Sequence, residues 1–240
     1  MALVPGGARG IGRAVALDLA AAGWGVALAY RESQAAARDT EAAVAARGAP
    51  ALAVRADVAR PDAARDLVAR VEAHWGRVDA LVHTAGPFRM TPILDETPEG
   101  WRAMFDDNLH GLFHVCRAVA PGMAARGWGR IVAFGLASAG EVAAHENLTA
   151  YAAAKTGVVV LARSLARALA SRGVTVNVVA PGFIDSGSTP PAELARWVPR
   201  IPAGRVGDAT DAVAAVRFLL SEEAGYVTGA TIPVSGGWGL

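Results

Sequence analysis

The 240-residue chain carries 23 basic and 22 acidic residues, a net charge of +1, and 53% hydrophobic residues. That balance excludes a disordered polyelectrolyte and gives no electrostatic footprint for nucleic acid or an anionic membrane surface. Apolar runs such as Val158 to Ala162 are too short to span a bilayer, and Cys116, the only cysteine, forms no internal disulfide and reads as a buried, inert thiol. Met-Ala-Leu-Val-Pro-Gly-Gly lacks the charged start and long apolar stretch of a signal peptide, so a cytoplasmic enzyme or binding protein is expected.

In chain order the pattern predicts strand 2–5, helix 10–22, strand 25–31, helix 33–47, strand 51–56, helix 61–75 and strand 78–84. It continues with helix 99–126, strand 130–135, helix 149–172, strand 174–180, helix 208–222 and strand 231–234. The strands are short, apolar and β-branched, as suits strands buried on both faces. Pro61 fits a first helical turn, and Gly48 and Gly173 stand where helices should stop. Alternation of this kind implies one α/β domain: a doubly wound, mainly parallel seven-stranded sheet with helices on both faces. Segment 181–207, with five prolines and a short helix expected over 191–197, follows a strand at the carboxyl edge of the sheet and reads as a substrate lid.

Gly6, Gly10 and Gly12 follow the first strand and open the first helix. Glycine there allows a tight turn and close approach of a diphosphate to the helix N-terminus. The spacing is Gly-x3-Gly-x-Gly, not the commoner Gly-x-Gly-x-x-Gly. The second strand ends Ala29-Tyr30-Arg31 with no carboxylate at its tip, and Glu32 comes one residue later. A carboxylate there would bind the ribose hydroxyls of NAD, whereas arginine accommodates a 2′-phosphate. Arg31 and Arg9 together therefore favour NADP (NADPH). Further along, Tyr151 and Lys155 are spaced to share one helical face, one turn apart. Phenol has a reference pKa of about 10, and a nearby ammonium favours its ionised form. The pair is thus either a proton donor with its electrostatic partner or an ordinary surface pair.

These residues, taken jointly, resemble the short-chain dehydrogenase/reductase family over nearly the whole length. The motifs are Gly-Gly-Ala-Arg-Gly-Ile-Gly (6 to 12), Ala56-Asp57-Val58, Thr84-Ala85-Gly86, Asn108-Leu109-His110-Gly111, Tyr-x3-Lys, Val176-Asn177, Pro181-Gly182 and Ser235-Gly236-Gly237. The resemblance implies a Rossmann fold, a homotetramer or dimer, and hydride transfer between a nicotinamide and a carbonyl or alcohol. It implies that Gly6, Arg9, Gly10, Ile11, Gly12, Tyr30, Arg31, Asp57, Val58, Thr84, Ala85 and Gly86 contact the cofactor, with Pro181, Gly182, Ile184 and Ser186 holding the nicotinamide amide. Tyr151 would give the proton, Lys155 would bind the nicotinamide ribose and lower the tyrosine's pKa, and Asn108 would hold a water linking Lys155 to solvent. Asn177 would be a structural asparagine behind the site. No metal is implied.

Three departures stand out. Pro5 replaces a threonine before the glycine turn and removes a hydroxyl and a backbone donor. His83-Thr84-Ala85-Gly86 replaces Asn-Asn-Ala-Gly, with His83 expected to be packed rather than catalytic. The family's carbonyl-orienting serine falls on Leu136 when counted forward from Arg130, and on Ser138 when counted back from Tyr151. A shift within loop 136–147 would bring Ser138 to the site, and His145 and Asn147 are the substitute donors.

The nearest pattern is the 3-oxoacyl-carrier-protein reductase type, through Ile201 to Gly207 and Gly225 to Gly229. An acyl carrier protein would want an arginine patch, for which Arg126, Arg130 and Arg172 are available. Gly86-Pro87-Phe88-Arg89-Met90-Thr91-Pro92-Ile93 is similar instead to pteridine reductases, with Phe88 to stack on a flat ring and Arg89 to pair with its polar edge. The departures also leave room for a non-catalytic NADP-binding subunit. The small residues Ala118, Ala120, Ala124 and Ala152 to Ala154 would let helices pack closely between subunits.

Overall fold

A computed structural model describes residues 1–137, 143–187 and 190–239. Its first half runs β1 (Ala2–Pro5), α1 (Gly10–Ala21), β2 (Val26–Tyr30), α2 (Gln34–Ala45), β3 (Ala51–Arg55), α3 (Pro61–Trp75) and β4 (Ala80–His83). Then come α4 (Pro98–Phe105), α5 (Gly111–Arg126), β5 (Gly129–Phe134), α6 (Thr149–Leu169) and β6 (Val174–Pro181). The chain closes with β7 (Ile184–Asp185), α7 (Pro191–Ala195), β8 (Gly207–Asp208), α8 (Ala209–Leu220) and β9 (Thr231–Val234). Seven strands form one sheet in the order β3-β2-β1-β4-β5-β6-β9, and every pairing is parallel. Strand order reverses between β1 and β4, which opens a crevice at the carboxyl ends.

Successive side chains on each strand feed opposite layers. Leu3, Leu81, Ile131 and Val176 pack with α3, α5 and α6, whereas Val4, Val82, Val132 and Val179 pack with α1 and α8. Burying each such side chain stabilises by about 1.5–3 kcal/mol relative to exposure. Pro61 occupies the first turn of α3, and Gly48 and Gly173 adopt φ of +78° and +70°, so the helix ends fall where glycine tolerates the left-handed region. Asp208 caps α8 in a reciprocal box with Asp211.

Two features differ from expectation. The helix expected over 99–126 is α4 and α5 joined by a π-helical turn, Asp106–His110. Such a turn lodges one extra residue without ending the helix, so apolar periodicity does not reveal it. Segment 181–207 contributes a two-stranded parallel pair, β7 with β8, that short polar sequence does not announce. Phe183 stacks on Trp197 (4.2 Å between centroids) and meets Trp238 edge-on (4.9 Å), which ties this segment to the chain end.

Candidate active site

The glycine turn is built by close packing. A Cβ on Gly6 would lie 2.6 Å from the Ala85 nitrogen, and one on Gly12 would lie 2.3 Å from the Gly6 carbonyl and 2.5 Å from Thr84 Oγ1. Larger residues would push the turn off β4. Thr84 donates to the Pro5 carbonyl through both Oγ1 (2.8 Å) and its backbone N–H (3.0 Å). The turn is therefore braced from β4, which answers the loss of a hydroxyl at Pro5. Ile11 packs towards the core, and Tyr30 packs against the small cluster of Ala8, Leu28 and Ala37 beneath the turn. α1 starts without a side-chain acceptor at its N-cap, Arg9, so its first amides keep their capacity for an anion. A Cβ on Gly10 would sit 3.3 Å from Ser186 Cβ, so the segment after β6 arches over the same turn. Glycine cradle, uncapped helix start and overlying segment together fit a dinucleotide diphosphate.

At the far end of the crevice, Arg31 follows β2. Its Nη1 donates to Asp107 Oδ1 at 2.7 Å, and its Nε lies 3.5 Å from Glu32 Oε1. Asp57 accepts from the Ala59 N–H at 3.2 Å, and Val58 is buried beside Gly111. Arg9 is exposed.

Tyr151 and Lys155 share the inward face of α6. Lys155 is buried, its Nζ donates to the Phe134 carbonyl at 2.9 Å, and it stands 5.5 Å from the Tyr151 ring centroid. Burial pushes the lysine down to about 8. Burial likewise pushes Tyr151 up to about 12, the direction opposite to the lowering by Lys155 that the resemblance implies. Phe88 presents its ring edge-to-face with Tyr151 at 5.1 Å. Asn108, buried in the π turn, donates through Nδ2 to the Pro87 and Met104 carbonyls at 3.2 and 3.1 Å. Its Oδ1 has no partner among the described residues, and a Cβ on Gly86 would lie 2.3 Å from it.

The lysine makes a prediction. The folded state releases the Lys155 proton near pH 8, while the unfolded chain keeps it to the ordinary 10.5. Stability therefore rises with pH across that window and is lost as pH falls through 8. Between pH 7 and 9, wild type should gain about 1 kcal/mol more in urea unfolding than Lys155→Met. Equal gains would refute it.

The chain is similar to known proteins along nearly its whole length. The family described as Enoyl-(Acyl carrier protein) reductase matches residues 6–239. A 3-oxoacyl-[acyl-carrier-protein] reductase FabG of Staphylococcus epidermidis is 38% identical over 239 residues, covering 98% of this chain and 97% of that protein. A 3-oxoacyl-[acyl-carrier-protein] reductase of Synechocystis is 39% identical over 238 residues, covering 99% and 96%. The crystal structure of a short-chain type dehydrogenase/reductase from Mycobacterium marinum superposes with a TM-score of 0.91 at 32% identity, over 99% of this chain and 94% of that one.

The chain belongs to the short-chain dehydrogenase/reductase family. It is accordingly an oxidoreductase acting on a CH–OH/C=O group with a nicotinamide cofactor.

Within this short-chain dehydrogenase/reductase, one of the two counts for the serine slot, Leu136, falls among the described residues. The Gly135 and Ala137 N–H groups donate to the Val179 and Pro181 carbonyls at 2.8 and 3.2 Å, so the register with β6 stays regular through Ala137. Leu136 is buried in the core layer against which Tyr151 packs, and brings no polar group. Ser138 lies outside the described residues. Of the substitute donors, His145 is half-buried and Asn147 is exposed.

His83 is buried as expected, and burial followed by the Lys155 charge pushes its imidazole down to about 3. Asn177 is structural: it donates to the Val227 carbonyl (2.8 Å) and accepts from the Ala230 N–H (3.0 Å). The Gly182 N–H donates to Val234, aligning Pro181 and Gly182 with the end of β9, and Ile184 lies in β7.

Several surface expectations change. Arg126 donates to the Val78 carbonyl, and Arg130 is buried against Trp128 and Ser221. Both lie at the amino end of β5, across the sheet from the crevice, so in this chain they form no patch beside it; Arg172 is exposed at the same edge. Arg89 is paired with Glu96 at 2.8 Å. Ala120, Ala152 and Ala154 are buried inside the chain, whereas Phe113 and Val160 are the exposed large apolar residues of α5 and α6. Trp238 is half-buried and packs on Phe183 within the chain. Among the described residues no His, Cys, Asp and Glu group gathers to hold a metal, and no helix is long and apolar enough to cross a membrane. Sequence reading passed over Asp107, whose ion pair with Arg31 spans 76 residues and leaves no local signal.

Proposed function

We propose that the protein is an NADPH-dependent carbonyl reductase of the 3-oxoacyl-[acyl-carrier-protein] type. The turn from Gly6 to Gly12 receives the diphosphate, Arg9 and Arg31 receive the 2′-phosphate, and Asp57 and Val58 border the adenine. Thr84, Ala85 and Gly86 line the middle of the crevice, and Pro181, Gly182, Ile184 and Ser186 hold the nicotinamide end beneath the lid, 181–207. The bound cofactor supplies the hydride. Tyr151 donates the proton to the carbonyl oxygen, Lys155 binds the nicotinamide ribose, and Asn108 Oδ1 accepts from a water that links Lys155 to solvent.

The observations that carry this reading are Lys155, buried 5.5 Å from the ring of half-buried Tyr151, and Asn108 Oδ1, a buried acceptor with no partner among the described residues. A phenol near 12 is fully protonated at neutral pH, the form a donor needs. Substrate class follows the relatives, with an acyl chain on a carrier protein as the physiological form. The assembly is a homotetramer, and exposed Phe113 (42%) and Val160 (61%) on adjoining helices support an interface between copies.

A second reading has its own support. Phe88, 58% exposed at the Tyr151 ring, offers a flat apolar wall suited to a pteridine. The engagement of Arg89 with Glu96 counts against it.

The test uses the purified protein. Acetoacetyl-CoA should be reduced with NADPH, and NADPH should bind about tenfold tighter than NADH, roughly 1.4 kcal/mol. Equal affinities would remove the NADP assignment, and a monomeric mass by light scattering would remove the tetramer. Turnover of dihydrobiopterin but not the thioester would install the pteridine reading. NADPH binding without turnover across a broad carbonyl panel would leave a non-catalytic subunit.

A further inference from the structure

Arg31 is the cation placed to meet a 2′-phosphate, yet it is already surrounded by carboxylates. Asp107 takes its Nη1 at 2.7 Å, Glu32 stands 3.5 Å from its Nε, and Asp57 adds attraction from the exit of β3. The three are not equivalent. The Glu32 side chain is 80% exposed, where water screens it, whereas Asp107 is 17% exposed and alone accepts a hydrogen bond from the guanidinium. Asp107 owes its position to the π turn. That turn sends Asn108 inward to Pro87 and Met104, and directs the preceding residue across the crevice mouth to the tip of β2.

A phosphate arriving at Arg31 must share or displace this carboxylate, and two anions competing for one guanidinium repel each other. A cofactor without the 2′-phosphate meets no such contest. We propose that Asp107 is a specificity-determining residue: it competes for Arg31 and holds down the protein's preference for the 2′-phosphorylated dinucleotide. The inference rests on the reading that Arg31 meets the 2′-phosphate.

The experiment measures Kd for NADPH and NADH by fluorescence titration, without turnover, in wild type, Asp107→Asn, Arg31→Ala and the double variant. Asp107→Asn keeps the shape and removes the charge. It should tighten NADPH about tenfold while changing NADH less than about twofold, so the effect is a ratio and NADH reports intact folding. In the Arg31→Ala background the same change should give no selective gain. An unchanged ratio, or weaker NADPH binding to Asp107→Asn, overturns the proposal; the second result would make Asp107 an orienting partner of Arg31. Should Arg31→Ala bind NADPH as wild type does, the underlying reading fails and the inference with it. If wild type binds both cofactors equally but Asp107→Asn gains NADPH selectively, the NADPH preference fails and the role of Asp107 stands.

Discussion

Tyr151→Phe is expected to lower kcat for carbonyl reduction by about 100- to 10,000-fold, the span of general acid catalysis. The substitution removes one hydroxyl and keeps the ring that meets Phe88 edge-on and packs against the core. Folding and dinucleotide affinity should therefore change little, and the loss should appear in kcat rather than in KM. Lys155 keeps its hydrogen bond to the Phe134 carbonyl in this variant, so the buried charge gains no new unsatisfied neighbour. Single-turnover kinetics at saturating cofactor make the measurement. Residual kcat within about tenfold of wild type would show that another group supplies the proton.

The second large effect is on stability, at His83. Its Nε2 is buried without a hydrogen-bond partner among the described residues. The folded state refuses a proton until about pH 3, while the unfolded chain accepts one at the ordinary 6.5. Between these values the unfolded state binds more protons, so stability rises with pH and is lost as pH falls from 6.5 towards 3. At about 1.4 kcal/mol per pH unit, the loss between pH 7 and pH 4 is on the order of 3 kcal/mol. His83→Asn removes the titrating group. Whatever that change costs in packing applies at both pH values, so the readout is the difference between them. Urea unfolding of wild type should weaken by about 3 kcal/mol more than the variant over that interval. Parallel pH profiles would mean that His83 finds a proton-accepting arrangement on folding.

Much of this protein is visible residue by residue. Seven apolar strands spaced by helical patterns imply a doubly wound sheet because parallel strands need crossovers. Tyr151 and Lys155 can be read as a pair because helical spacing alone puts them on one face. The glycines of the turn are legible for the same local reason. Thr84 was recognisable as a short polar side chain, but its use, holding the Pro5 carbonyl under the turn, is a contact across 79 residues.

The chain by itself determined the layer architecture, the place of the crevice and the identity of the helical pair, because these follow from periodicity and from residues close in sequence. Tertiary structure decided what no short window contains. The π turn exists because α4 and α5 must continue one helix while Asn108 reaches Pro87 and Met104. Burial, not the neighbouring ammonium, sets the Tyr151 phenol near 12, since desolvation depends on every element packed around it. Regular pairing of β5 with β6 through Ala137 puts Leu136, one of the two counts for the serine slot, in the core, while the other, Ser138, lies outside the described residues. Arg31 looked like a cation waiting for phosphate until the fold brought Asp107 to it from 76 residues away.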